Sequence, residues 1–299
     1  MLPNSISRFI ECVLPPLAFR RLDRLIVLGD LPLRTSVDQV VYVHQAHLVS
    51  PKVDNNSSRQ LRHKVARLVF RFNARYARCF VVQTEAMRRK LTASYEAVRG
   101  KVWVIGAPPP AGFASRRTSC SDESDNRLLR LFYPAASYPH KNHRLLARVP
   151  KDTCTGWPVG ELILTVADSE NPNPDVPWIR CVGLLDSAEC MDRYATVDGL
   201  MFLSTSESYG LPLVEAMVCG LPVICPDLEY ARTICGDVAI YFDPHDIATL
   251  QAAVAELHRR LAAGWRPDWS ARMERLPHDW GEVAARIVTL IEPGAAGCV

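Results

Sequence analysis

No uninterrupted apolar run of about 18 residues occurs anywhere in the 299-residue chain, which excludes a membrane-spanning helix as the reading of any segment. No basic leader stands before the first apolar run. "MLPNSISRFIECVLPPLAF" is broken by Glu11 and two prolines, so it does not read as a signal peptide. Cysteine is not scarce, at ten residues, but no C-x-x-C and no histidine pair at zinc-like spacing accompanies it. That favours reduced, mostly buried thiols in a cytoplasmic protein over a disulfide or metal framework. Short-period repeats are absent as well. What is present is apolar content, 48% of residues, enough for a sizeable core and against wholesale disorder.

The net charge of +3 conceals an asymmetry. Residues 1–113 hold 18 Lys/Arg against 7 Asp/Glu, and the remainder 17 against 25, so a half at +11 is joined to a half at −8. Opposite signs suggest two domains with different partners. The polar, serine-rich "ASRRTSCSDESDN" marks the linker, taken as residues 114–127. Before it, strand-like runs appear at 24–30, 39–45, 79–84 and 101–106, with a long helical pattern between the second and third. After it they recur at 128–135, 161–168, 178–185, 199–205, 222–228 and 238–244, most of them separated by helical patterns. Near-continuous apolar strands alternating with helices imply parallel sheets covered on both faces. The fold class expected is α/β with two Rossmann-like domains, and ligands at the carboxyl ends of the strands.

One segment asks for chemistry. In "SESYGLPLVEAM" (206–217), Glu207 and Glu215 flank a Gly-Leu-Pro turn with seven residues between them. The preceding "GLMFLST" reads as a buried strand, and Pro212 suits the first turn of a helix, where its missing N–H is no loss. Gly210 lets backbone approach a ligand, and free N–H groups at a helix start attract phosphate. Two carboxylates beside such a place contact hydroxyls rather than phosphate. A ligand with phosphate in the middle and polyols on both sides, a nucleotide sugar, fits that arrangement. The plainer alternative is that Glu215 favours the helix start electrostatically and Glu207 is a loop charge. A second strand-end loop, in "LFYPAASYPHKNHRLL" (131–146), carries Lys141 before an expected helix. Its ammonium suits a departing diphosphate.

Together "YPHKNHRLL", "SESYGLPLVEAMVCGLPVICPD" and "GDVAIYFDPHD" resemble, in order and spacing over roughly residues 128–250, the donor half of GT-B glycosyltransferases of family 4. These are retaining enzymes with an E-x7-E signature. The resemblance implies that Glu207 contacts the donor sugar near the reacting centre and Glu215 holds the ribose hydroxyls. It implies that Ser208, Tyr209, Gly210 and Leu211 present backbone N–H groups to sugar and phosphates, and that Lys141 contacts the diphosphate. "VYVHQ" resembles the strand-end histidine that family members place near the sugar, which makes His44 a second catalytic candidate; an ordinary packing or capping histidine is the other reading. The resemblance implies neither metal nor cofactor beyond the nucleotide-sugar co-substrate, and no D-x-D occurs in the chain. It also implies that a C-terminal helix, within 276–299, crosses back to the first domain (1–113) from the second (128–275).

Two departures from the family stand out. An arginine usually sits six residues before the lysine, and here that donor-side position is Ala135. The first hundred residues hold only Gly29 and Gly100 and four strand-like runs, so the opening strand and glycine-rich loop of the acceptor side are expected to be missing and the N-terminal domain shortened.

In the first half, "SSRQLRHKVARLVFRFNARYARC" (57–79) reads as a helix. Lys64, Arg67, Arg71, Arg75 and Arg78 recur beside an apolar stripe of Leu61, Val65, Leu68, Val69, Phe72 and Tyr76. It suits an anionic membrane surface, which would make the protein peripheral on the inner face of the cell membrane, or a Rossmann helix burying its apolar side. Nucleic acid is not expected as a partner. The sequence reading is thus a metal-independent hexosyltransferase acting on a glycan or lipid-linked acceptor, in bacterial surface polysaccharide synthesis. The alternatives are a donor-half binding module that needs a partner, and a sugar-nucleotide epimerase.

Overall fold

The computed structural model describes residues 11–14, 22–49, 57–112, 127–151 and 156–292; the expected linker lies almost wholly outside them. The chain divides into two compact units. One is built from residues up to Pro108 together with those from Pro277 on, the other from Pro109–Leu276.

The first unit is a parallel sheet of β1 (Arg24–Val27), β2 (Asp38–Val43), β3 (Cys79–Val82) and β4 (Val102–Val104), in that order. Helix α1 (Ser57–Asn73) links β2 to β3, and α2 (Glu85–Ser94) links β3 to β4. Successive side chains of a strand alternate between faces, so a sheet covered on both sides needs strands that are apolar throughout. Val40, Val41, Val43, Phe80, Val81 and Val82 are all fully buried. Val41, Val43, Phe80 and Val82 join the core beneath α1 and α2, with Phe70, Met87 and Leu91. Val40, Tyr42, Cys79 and Val81 face the other way, onto Val283, Ile287 and Ile291 from the end of the chain. Thr84 caps α2 by accepting from the Met87 N–H at 3.2 Å, as the residue type favours.

Helix α1 differs from its sequence reading in two respects. It ends at Asn73 and passes into a 3-10 turn, Ala74–Tyr76, so Arg78 lies beyond it. That arginine is engaged by Asp38 at 3.3 Å and the Glu292 carbonyl at 3.0 Å. The buried stripe is also rotated. Val69, Phe70, Asn73 and Ala74 face the core, whereas Leu61, Val65, Leu68 and Phe72 are exposed. Asn73 is why: its amide donates to the carbonyls of Cys12 (2.9 Å) and Pro32 (2.8 Å), and a buried amide satisfied twice fixes which side faces in.

The second unit is a six-stranded parallel sheet in the order β10-β9-β8-β5-β6-β7. The strands are β5 (Leu129–Tyr133), β6 (Val159–Leu164), β7 (Ile179–Cys181), β8 (Gly199–Met201), β9 (Val223–Pro226) and β10 (Ile240–Phe242). Helices α3 (Ser187–Tyr194), α4 (Leu211–Val218), α5 (Glu229–Cys235), α6 (Ile247–Ala262) and α7 (Ser270–Met273) connect or follow them. All six strand expectations are met, and α5 is an addition. The helix expected after Lys141 is instead two 3-10 turns, Pro139–Lys141 and His143–Arg148, hinged at Asn142 with φ +58°. Asn tolerates that left-handed backbone, and its amide is anchored on the Pro244 carbonyl at 3.0 Å.

The sheet grows outward from β5 to β6 and β7 on one side, and the chain then returns to lay β8, β9 and β10 on the other. The order reverses between β5 and β8, and loops leaving the carboxyl ends of adjacent strands at such a switch point face one another across a crevice. Helix α8 (Trp280–Ile291), the last described element, belongs to the first unit. Among the described residues no helix is long and apolar enough to cross a membrane.

Candidate functional site

The loops after β5 and β8 carry Lys141 and Glu207, 66 residues apart in sequence. Their side chains meet: Lys141 Nζ donates to Glu207 Oε1 at 2.5 Å, with the side chains only 16% and 14% exposed. The sequence reading gave them separate ligand groups, and the structure pairs them with each other. The two loops are also stitched through backbone. The His140 carbonyl accepts from the Thr205 N–H at 2.7 Å and from the Ser204 and Thr205 hydroxyls at 3.1 Å each. Two buried tyrosines brace them from below. Tyr133 donates to the Lys141 carbonyl at 2.6 Å, and Tyr230 to the Ser204 carbonyl at 2.5 Å. Burial, with the Glu207 carboxylate nearby, holds both phenols well above their ordinary range, so they stay neutral donors. His143, beside Tyr133, is lowered to about 4 by burial and by Lys141, so it adds no charge at neutral pH.

Three residues past Glu207 the backbone turns into α4 at Gly210, whose φ is +90°. A side chain there would meet Leu213 Cδ1 at 3.2 Å and would sit in a backbone region that L-residues rarely occupy. Leu211 and Pro212 follow as the first helical residues, so the helix start lies beside the ion pair. Ser208 is half-buried and Tyr209 buried. Ala135 is buried, and its N–H donates to Thr165 Oγ1 at 2.8 Å.

Glu215, expected to hold ribose hydroxyls, already has a partner within the unit. Its Oε2 accepts from the hydroxyl of Tyr194, the last residue of α3, at 2.8 Å. Burial raises its carboxyl above the ordinary range, and the Tyr194 bond opposes that shift. Sequence reading passed over Tyr194, which looks like any apolar position of an amphipathic helix.

His44 lies in the first unit, at the carboxyl end of β2. Its Nδ1 is 3.2 Å from Asp30 Oδ1, and its side chain is 44% exposed. Asp30 is buried, and its carboxylate accepts from the N–H groups of His44 (2.7 Å) and Gln45 (3.0 Å) and from the Gln45 amide (2.8 Å). Its own φ is +66°, and the Leu31 N–H to Gly29 carbonyl bond across it at 2.8 Å closes a γ-turn, a strained conformation for a residue with a side chain. Asp30 was not singled out from sequence either, although a carboxylate at a strand's carboxyl end ("VLGD") is a usable signal. Among the described residues no three His, Cys, Asp or Glu side chains gather as a metal-ligand set, and the seven described cysteines are free thiols.

Comparison with known proteins bears on this site. Residues 161–260, which include Glu207, Gly210 and Glu215, match the family model described as glycosyl transferases group 1. The O-antigen chain mannosyltransferase B of Escherichia coli is 32% identical over 95 residues, covering 32% of this chain and 24% of that protein. The chain thus spans about a quarter of that relative's length in the match. Among solved structures, WaaG, a glycosyltransferase involved in lipopolysaccharide biosynthesis, superposes with TM-score 0.62 at 14% identity over 93% of this chain and 80% of that one. Anabaena HepE, solved with UDP and glucose, gives 0.53 at 18% over 88% and 78%. These likenesses establish the fold class, two Rossmann-like units of the GT-B kind.

Proposed function

From a chain that carries a group 1 glycosyltransferase segment on a GT-B fold, we propose that its second unit binds a nucleotide sugar and that the protein transfers the sugar, with retention at the anomeric carbon, to a glycan or lipid-linked acceptor. The observation that carries this reading is the Lys141–Glu207 pair at the switch point, beside the glycine-led start of α4. When a nucleoside diphosphate enters, Lys141 turns toward its phosphates. The ammonium and the α4 start then neutralise the charge that develops as the sugar–phosphate bond breaks. Glu207, released from the ion pair, contacts the sugar. Glu215, held by Tyr194, receives the ribose hydroxyls. With alanine at position 135, Lys141 and backbone donors carry the diphosphate between them. In the first unit His44, held by Asp30, is the second catalytic group. No step calls for a metal.

The test is thermal unfolding against GDP, UDP and dTDP, with Lys141→Ala as control. A ligand at 100 times its Kd stabilises the folded state by about 2.7 kcal/mol. One nucleotide is expected to stabilise the parent and not the variant. Stabilisation by none of the three sinks the reading.

We also propose contact with an anionic membrane surface. Leu61, Leu68 and Phe72 are 64%, 54% and 59% exposed on α1, with exposed Arg62, Lys64, Arg71 and Arg75 around them. Apolar residues flanked by basic ones suit the interface of an anionic bilayer. Leu68→Glu/Phe72→Glu should abolish binding to phosphatidylglycerol vesicles while leaving the melting temperature in place. Unchanged vesicle binding would remove the membrane from the account.

A further inference from the structure

The first unit gathers two imidazoles and a guanidinium that the reading above leaves unused. His47 lies in the 3-10 turn Ala46–Leu48, just past the carboxyl end of β2. His63 and Arg67 stand four residues apart on α1, hence on one face. The rings of His47 and His63 are stacked, 4.2 Å between centroids and 17° between planes. Arg67 Nε donates to the His63 carbonyl at 3.3 Å, which holds the guanidinium against the same stretch of helix. All three side chains are half-buried. Among the described residues no carboxylate pairs with any of them. The carboxylate that approaches this end of β2, Asp30, is taken up by His44 and Gln45.

Like-signed groups packed together without a counter-charge oppose one another's ionisation. The effect is visible at His47, held at about 4 by burial and then by His63, Arg67 and His44. His44 faces it from the β2 end, and His63 and Arg67 face it from α1. Behind them Tyr95, whose hydroxyl donates to the Leu48 carbonyl at 2.8 Å, lies close enough to Arg67 to feel its charge, and burial keeps that phenol neutral at about 12. Nothing on either element offsets the positive charge. An entering oxyanion does so, and it gains a guanidinium fork and two imidazole donors.

We propose that His47, His63 and Arg67 form an oxyanion site that takes a phosphoryl group carried by the acceptor. The proposal rests on the first unit being the acceptor side and goes beyond the donor chemistry argued above. Because a bound anion favours the protonated form of the His47 ring, proton uptake accompanies binding, and binding strengthens as pH falls.

The experiment is titration of the whole chain with inorganic phosphate at pH 6 and pH 8, followed through the assigned imidazole C–H resonances. His47 and His63 are expected to shift together and saturably, with affinity, expressed per phosphate dianion, at least about tenfold higher at pH 6. Arg67→Gln should weaken binding by about tenfold or more, the scale of one charge-assisted hydrogen bond. His63→Gln, a milder change, should weaken it without altering the fold. Glycerol 3-phosphate and a short-chain phosphatidic acid then separate the sources. Equal affinity assigns a phosphoryl group on a soluble or glycan acceptor, and tighter binding of the lipid assigns a lipid carrier. Unmoved His47 and His63 resonances at both pH values, or an Arg67→Gln protein that binds phosphate like the parent, would overturn the proposal. Nucleotide stabilisation that depends on Lys141 is read separately, so a failure here leaves the donor reading standing.

Discussion

Glu207→Gln separates two quantities that usually fall together. In the parent, the Lys141 ammonium is already bonded to the Glu207 carboxylate at 2.5 Å, with little of either side chain in water. A diphosphate oxygen that approaches the same ammonium from its open side lies roughly 5 Å from the carboxylate. Two unit charges at about 5 Å and an effective dielectric of about 20 repel by roughly 3 kcal/mol. Glutamine keeps the shape and removes that repulsion, but Lys141 then loses the partner that orients it, which offsets part of the gain. A net gain of about 1.4 kcal/mol is tenfold in affinity. The variant should therefore bind nucleoside diphosphate about tenfold or more tighter, measured by calorimetry, while turnover drops by at least about 100-fold because the proposed carboxylate contact with the sugar is gone. Tighter product binding with lost turnover is hard to obtain by damaging a fold. A variant that binds the diphosphate tenfold more weakly, or that keeps full turnover, refutes the reasoning about the pair.

Three further outcomes follow from the geometry. Burial lifts the Glu215 carboxyl above its ordinary 4.5, so its contribution to stability is full below that value and shrinks as pH rises through the raised one. Glu215→Gln, which still accepts from Tyr194, should melt above the parent at pH 8 and level with it at pH 4, and a parent that melts higher at pH 8 contradicts this. Ile287→Ala empties a buried position between α8 and β2, at about 3 kcal/mol, and should lower melting of the first unit by roughly 6–12 °C in calorimetry. Asp30→Asn retains an oxygen for the two backbone N–H groups but withdraws the carboxylate from His44. It should reduce kcat about tenfold or more, the size of one charged hydrogen bond, and move the imidazole nitrogen resonances of His44; an unmoved tautomer signature would deny Asp30 its positioning role.

Strands were the most legible part of the chain. The central strands are nearly continuous apolar runs, because parallel strands inside a sheet are covered on both faces, whereas the edge strands β1, β4 and β7 keep exposed positions. Helix α5 escaped notice because "EYARTIC" is two turns long with no side-chain cap. The face of α1 was misread because Leu61, Val65, Leu68 and Phe72 look like a core stripe, and only the doubly bonded Asn73 reveals which side is inside. Within the candidate site, Gly210 and the two glutamates were visible as a local spacing. The Lys141–Glu207 bond was not, since it depends on β8 lying next to β5, a matter of strand order that no local pattern records. Asp30 and Tyr194 were missed for the same reason: each matters through a partner 14 or 21 residues away.

The placement of α8 bears on how the protein is made. The β2 face formed by Val40 and Tyr42 is covered by Val283, Ile287 and Ile291, which a ribosome supplies roughly 250 residues later. At about 5–20 residues per second that is an interval of roughly 12–50 s. During it the second unit, continuous in sequence, is completed, while the β2 face of the first waits for its cover. Any fusion or truncation that disturbs Trp280–Ile291 makes that transient exposure permanent.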